Sequence, residues 1–106
     1  MLLANLIDVK TLTDKKVLKF SNGVMIQAFR VTGNFTASKM QYINFPEPFL
    51  DNNIFISDSL YHTGTHSVIC QIGITDNTKI QIFPHANFEI SILPTGLFIT
   101  AIGRWK

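Results

Sequence analysis

At 106 residues the chain is long enough for one hydrophobic core and too short for two. Apolar residues make up 46% and charged residues only 15%, against roughly 25% charged in an average soluble domain, so a chain this small is expected to hide part of its surface against copies of itself. The net charge of +2, with Lys10, Lys15, Lys16 and Lys19 near the N-terminus and only Lys79, Arg104 and Lys106 positive beyond Lys39, gives no basic face interleaved with aromatics and speaks against nucleic acid as a partner.

The single Cys70 excludes an intrachain disulfide and a thiol-metal set, and it reads as a buried inert thiol. Met1 to Ile7 lacks the positive start of a signal peptide, and Asp8 cuts its apolar run short. No stretch approaches 18 apolar residues, so no membrane insertion is expected.

Residues 1–15 differ from the rest of the chain. Leu2, Leu3, Leu6, Ile7 and Val9 alternate irregularly with Asp8, Lys10 and Asp14, and the spacing of Leu3, Leu6, Ile7 and Lys10 fits a short amphipathic helix as well as an irregular lead-in. The chain therefore divides into a lead-in over 1–15 and a β-domain over 16–106. From Lys16 the signals are β throughout. Lys16 to Phe20 and Val24 to Val31 flank Ser21-Asn22-Gly23, which predicts a hairpin with a type I′ turn at Asn-Gly. Gly33 to Ser38 reads as loop, and Met40 to Phe45 as an alternating strand.

Pro46-Glu47-Pro48 ends that strand by removing two backbone donors, leaving Phe45 and Phe49 as apolar anchors at the bend. A strand over Asn53–Tyr61 comes next, then a loop at His62-Thr63-Gly64-Thr65-His66, a strand from Ser67 to Ile74, a tight turn at Thr75–Thr78, and a strictly alternating strand over Lys79–Phe83. Pro84-His85-Ala86-Asn87 reads as loop, Phe88–Leu93 as strand, Pro94-Thr95-Gly96 as turn, and Leu97 onward as a final strand. Seven or eight short strands divided by turn residues predict an all-β fold, an antiparallel β-sandwich.

The last nine residues, Phe98-Ile99-Thr100-Ala101-Ile102-Gly103-Arg104-Trp105-Lys106, keep strand patterning to the end and include the only Trp. Ordering a terminus costs entropy that must be repaid, so this tail is expected to be tied into a sheet or an interface. Ile54-Phe55-Ile56 and Leu97-Phe98-Ile99 are apolar on both faces, so one face can meet the core and the other a neighbouring subunit.

Taken in order, Ser21-Asn22-Gly23-Val24-Met25-Ile26-Gln27, then Phe45-Pro46-Glu47-Pro48-Phe49, then Thr100-Ala101-Ile102-Gly103-Arg104-Trp105 resembles the C-terminal tip domains of bacteriophage tail fibres. The resemblance spans Lys16 to Lys106. It implies a virion protein made in the bacterial host cytoplasm, a homotrimer, and a receptor-binding role in host adhesion. The ligand it implies is a bacterial surface glycan such as lipopolysaccharide, or an outer-membrane protein.

The polar and aromatic groups available for such a ligand lie in or beside two loops: Tyr61, His62, Thr63, Thr65 and His66, and His85, Asn87 and Phe88. These types stack on sugar faces and hydrogen-bond hydroxyls. The His62 and His66 spacing departs from the His-x-His of metal-binding fibre tips, so no metal and no cofactor is assigned. Asp58, Ser59 and His62 lack the context of a catalytic serine, and Glu47 has no second acid beside it, so no enzymatic activity is expected. Two other readings fit the residues: a structural trimerisation cap of a fibre, and a free-standing small lectin.

Overall fold

The computed structural model describes residues 5–12, 14–35, 39–61, 68–86 and 93–106. They form eight strands: β1 (Leu6–Leu12), β2 (Lys15–Phe20), β3 (Val24–Phe35), β4 (Gln41–Asn44), β5 (Phe55–Tyr61), β6 (Val68–Ile74), β7 (Lys79–Ala86) and β8 (Leu93–Arg104). All pairings are antiparallel, in a five-stranded sheet of order β1-β2-β3-β8-β5 and a three-stranded sheet of order β4-β7-β6. The all-β sandwich expected from the strand spacing is the fold.

The lead-in is neither helical nor irregular over residues 6–12. It is β1, paired with β2 from Leu6↔Phe20 to Leu12↔Lys15 with one irregularity between Leu6 and Asp8. A helix this short is marginal alone, whereas Ile7, Val9 and Thr11 suit an extended chain, and β2 supplies the backbone partners. The hairpin turn also differs from expectation. Only Gly23 takes a positive φ, of 93°, its N–H donates to the Phe20 carbonyl at 3.0 Å, and Asn22 Oδ1 accepts from Val24 N at 3.1 Å. That is a three-residue loop closed by one left-handed glycine, not a type I′ turn.

Two proline-containing stretches expected as loop or turn lie inside strands. Pro84 sits in β7 opposite Cys70, and Pro94 in β8 opposite Asn34. In each place the neighbour on the other side has already ended, since β4 pairs with β7 only from Lys79 to Ile82 and β5 pairs with β8 only up to Gly96. A strand with one partner accommodates a residue that cannot donate. Strand β3 likewise runs on to Phe35, through Gly33 and Asn34. The strand expected over Phe88–Leu93 falls mostly outside the described residues.

The core lies between the sheets. Val17, Met25, Phe29, Leu97, Ile99 and Ala101 from the large sheet meet Ile80 and Ile82 from β7, with Phe45, Phe49 and Ile54 closing one end. Alternation does the sorting: in β8 Leu97, Ile99 and Ala101 are buried while Phe98 and Ile102 are 45% and 41% exposed. Each fully buried aliphatic side chain contributes about 1.5–3 kcal/mol.

The molecule is elongated, 53 × 23 × 22 Å, and its two ends differ. One end is marked by the strand ends Phe35, Gln41, Tyr61, Val68, Ala86 and Leu93, between which the chain passes from one sheet to the other. At the opposite end lie the 21–23 turn, the 45–54 crossing, the 75–78 turn, and both described chain ends: Asn5 accepts from Ser21 N at 2.8 Å, and Trp105 N donates to the Gly23 carbonyl at 2.9 Å.

Candidate functional site

The three motifs that are separate in sequence come together at the Gly23 end. Gln27 is the one buried polar residue among the described residues, placed on the core face of β3 by its parity with Met25 and Phe29. Its Nε2 donates to the Glu47 carbonyl at 2.7 Å, and its Oε1 accepts from Glu47 N at 3.1 Å. Phe45 and Phe49 flank that bend as a T-shaped pair 4.9 Å apart, with Phe29 edge-on to Phe45 at 6.3 Å. Gly103 gives Phe49 its room, since a Cβ there would lie 2.6 Å from Phe49 Cδ1. Trp105 Nε1 donates to the Phe20 carbonyl at 2.9 Å. The motif residues thus form one scaffold.

Glu47 turns its side chain to two lysines. Its Oε1 is 2.8 Å from Lys10 Nζ and its Oε2 is 3.2 Å from Lys19 Nζ. The hydrogen bond from Lys10, helped by Lys19, holds the Glu47 carboxyl below the usual glutamate range, against partial burial, and the same contact raises Lys10 above the usual lysine value. This arrangement ties β1 to the bend after β4. Asp76, lowered by hydrogen bonds from Thr78, does the same for the 75–78 turn.

The outer face of the large sheet carries an apolar row across all five strands. Register aligns Val9 with Leu18, Leu18 with Ile26, Ile26 with Ile102, and Ile102 with Phe55. Phe55 is 73% exposed and Val9 52%. At about 4.8 Å between strands the row is about 19 Å long. The next row, Thr11, Lys16, Ala28, Thr100 and Ser57, is more polar, and beyond it the Arg30 guanidinium lies 5.5 Å from the Phe98 ring centroid. The two doubly apolar segments divide as expected on the core side, with Ile54 and Leu97 buried and Phe55 and Phe98 outward.

Of the candidate ligand residues, Tyr61 is the last residue of β5, opposite Gly96, and His85 lies within β7, opposite Ile69, rather than in a loop. His62, Thr63, Thr65, His66, Asn87 and Phe88 lie outside the described residues. The strand ends that bound them, Tyr61, Val68, Ala86 and Leu93, belong to the same end of the sandwich. Sequence reasoning misses Gln27 as a scaffold residue, although the alternation of Val24–Phe29 already points it inward. The row from Val9 to Phe55 needs the register, which no single strand reveals.

The two-sheet sandwich is a fold shared with solved pyocin tail-fibre structures. No protein-family model and no curated protein matches the sequence. Among solved structures, the chain is similar to an N-truncated R1-type pyocin tail fibre, with a TM-score of 0.72 and 16% identity over 91% of this chain and 84% of that one. It is also similar to the P. aeruginosa R1 pyocin fibre comprising C-terminal residues 323–701, with a TM-score of 0.68 and 16% identity over 92% of this chain and 28% of that one. The corresponding R2 fibre fragment, residues 323–691, gives a TM-score of 0.60 and 19% identity over 92% and 26%. At these identities the likeness is one of fold, and the chain spans about a quarter of the longer fibre fragments.

Proposed function

We propose that this chain is the tip domain of a phage or prophage tail fibre, a homotrimer that holds a receptor on the bacterial surface. The observation that carries the reading is the contrast between the two ends. Asn5 and Trp105 both lie beside the 21–23 turn, while the strand ends Phe35, Gln41, Tyr61, Val68, Ala86 and Leu93 mark the far end. A shaft joined at the Gly23 end presents the far end to a cell. The fold likeness to pyocin tail fibres supports the same role. The outer row from Val9 to Phe55 is the surface on which copies would meet, because an apolar strip this long is costly in water. The ligand is a surface glycan, lipopolysaccharide included, or an outer-membrane protein, held by avidity through several weak sites. The role is binding rather than catalysis.

A structural cap that registers the shaft without touching the host is the second reading. It is favoured by the scaffold character of Gly23, Gln27, Phe45, Phe49, Gly103 and Trp105. Two measurements separate them. Light scattering of the purified chain at micromolar concentration is expected to give three times the 11.9 kDa chain mass, and a stable monomer would sink the fibre reading. Substitution of Tyr61, His62, His66, His85, Asn87 and Phe88 is expected to abolish binding to host cells without changing that mass. Unchanged adsorption favours the cap.

A further inference from the structure

The two outer faces of the sandwich have opposite chemistry, and the smaller one has the composition of a sugar site. In β7 Ile80 and Ile82 are fully buried, so Gln81 and Phe83 point outward. Register places Gln71 beside Phe83, Gly73 beside Gln81, and Tyr42 on the other side of Gln81. Met40, Gln71, Ile72, Gly73, Gln81 and Phe83 line one slot of about 310 Å³, within the range of about 300–1,000 Å³ that small-molecule sites occupy. We propose that this slot on the β4-β7-β6 sheet binds a pyranose ring of a bacterial surface polysaccharide.

The proposal rests on the adhesin reading and gives it a site on a rigid sheet. Gly73 lets the Gln81 side chain lie flat on the sheet: a Cβ there would lie 2.7 Å from Gln81 Nε2 and 3.1 Å from its Cγ, so the Gln81 amide rests against Gly73 and forms one wall of the slot. Phe83 and Met40 offer apolar surface to the C–H face of a sugar, and the two glutamines each bring donors and an acceptor, which suits hydroxyls that are both. Among the described residues no charged side chain lines the slot, which selects a neutral ring. Lys79 is drawn aside, its Nζ 5.6 Å from the Tyr42 ring centroid, and Tyr42, 58% exposed, extends the aromatic surface to a second residue of a chain. On the large sheet the matching position holds aliphatic side chains instead, which suits another protein surface and not a hydroxylated ligand.

The test uses the full chain and a set of methyl pyranosides of glucose, galactose, mannose, rhamnose and N-acetylglucosamine, monitored by amide NMR. At least one glycoside is expected to shift the side-chain amides of Gln71 and Gln81 and the backbone of Gly73. Gly73→Val, and separately Gln81→Leu, should weaken that glycoside about tenfold or more with unchanged melting. Gln81→Leu keeps the test valid if Gly73→Val disturbs the sheet. Shifts confined to residues outside the slot overturn the proposal, as does equal binding by the variants. In parallel, adsorption of the chain to a panel of bacterial cells separates this site from the wider reading. Cell binding that survives both substitutions refutes the slot and leaves the adhesin intact, and a chain that binds no cell and no glycoside refutes both.

Discussion

The side chain of Gln27 and the main chain of Glu47 hold each other by two hydrogen bonds, 2.7 and 3.1 Å long. Flanked by Pro46 and Pro48, Glu47 supplies the one N–H between two residues that have none to donate. A buried amide that donates once and accepts once is the complement of that peptide, with its second donation going to Met25 Sδ at 3.7 Å, and it fixes the crossing from the small sheet to the large one. Gln27→Leu keeps the volume but strands both backbone groups. At about 1–3 kcal/mol for each of the two unsatisfied groups, urea unfolding should show a loss of about 2–6 kcal/mol.

The Glu47 ion pairs give stability a specific pH dependence. The folded-state carboxyl titrates below its unfolded value, so the unfolded chain binds the proton first as pH falls. The stabilisation is complete above the unfolded glutamate value of about 4.3 and disappears as pH drops through the lower folded value. Glu47→Gln should flatten this part of the acid limb. Equal slopes in wild type and variant would show that the pairs with Lys10 and Lys19 contribute nothing.

Gly103 admits no side chain without movement of an aromatic ring. A Cβ at 2.6 Å from Phe49 Cδ1 and 3.0 Å from its Cε1 must displace the ring from its T-shaped contact with Phe45. Gly103→Ala should destabilise the fold by about 1–3 kcal/mol, the usual range for overpacking, and lower the thermal midpoint. Phe49→Leu in the same background should recover part of the loss.

Trp105 closes the sheet by a route that does not depend on strand pairing. Its ring is half-buried, donates to Phe20, and lies under Lys19 and Lys106 at 5.5 and 5.0 Å. Trp105→Ala should cost about 2 kcal/mol, less than the roughly 3–5 kcal/mol of a fully buried tryptophan. Amide exchange should speed up first at Phe20 and Gly23.

Phe55 makes the opposite kind of contribution. It is 73% exposed, so Phe55→Ser should change the stability of the isolated fold by no more than about 0.5 kcal/mol. Self-association is expected to weaken sharply, read as a lower sedimentation mass at equal concentration. An unchanged mass would remove the outer row from the assembly surface.

Much of this fold is legible residue by residue. The parity of Lys79–Phe83 and of Phe98–Gly103 sorts inside from outside, and Asn-Gly places the hairpin. What is not legible depends on partners distant in sequence. Leu6–Leu12 is a strand because β2 lies beside it, and Pro84 and Pro94 stay in strands because β4 and β5 stop short of them. The slot under Gln81 likewise requires Gly73, Phe83 and Met40 to be brought together by register. The residues that most resemble a family signature are legible as a pattern, yet their meaning, a single locking cluster around Gln27 and Phe49, exists only in three dimensions.

Strands β3 and β8 run side by side for their full length, paired from Val24↔Arg104 to Phe35↔Leu93, in a molecule 53 Å long. Antiparallel hydrogen bonds lie perpendicular to the strands. Tension between the far end and the Gly23 end therefore loads the whole ladder in shear, with its bonds sharing the force, instead of opening them one at a time. In the proposed fibre tip, a pull between a bound far end and a shaft at the Gly23 end would be shared along this seam.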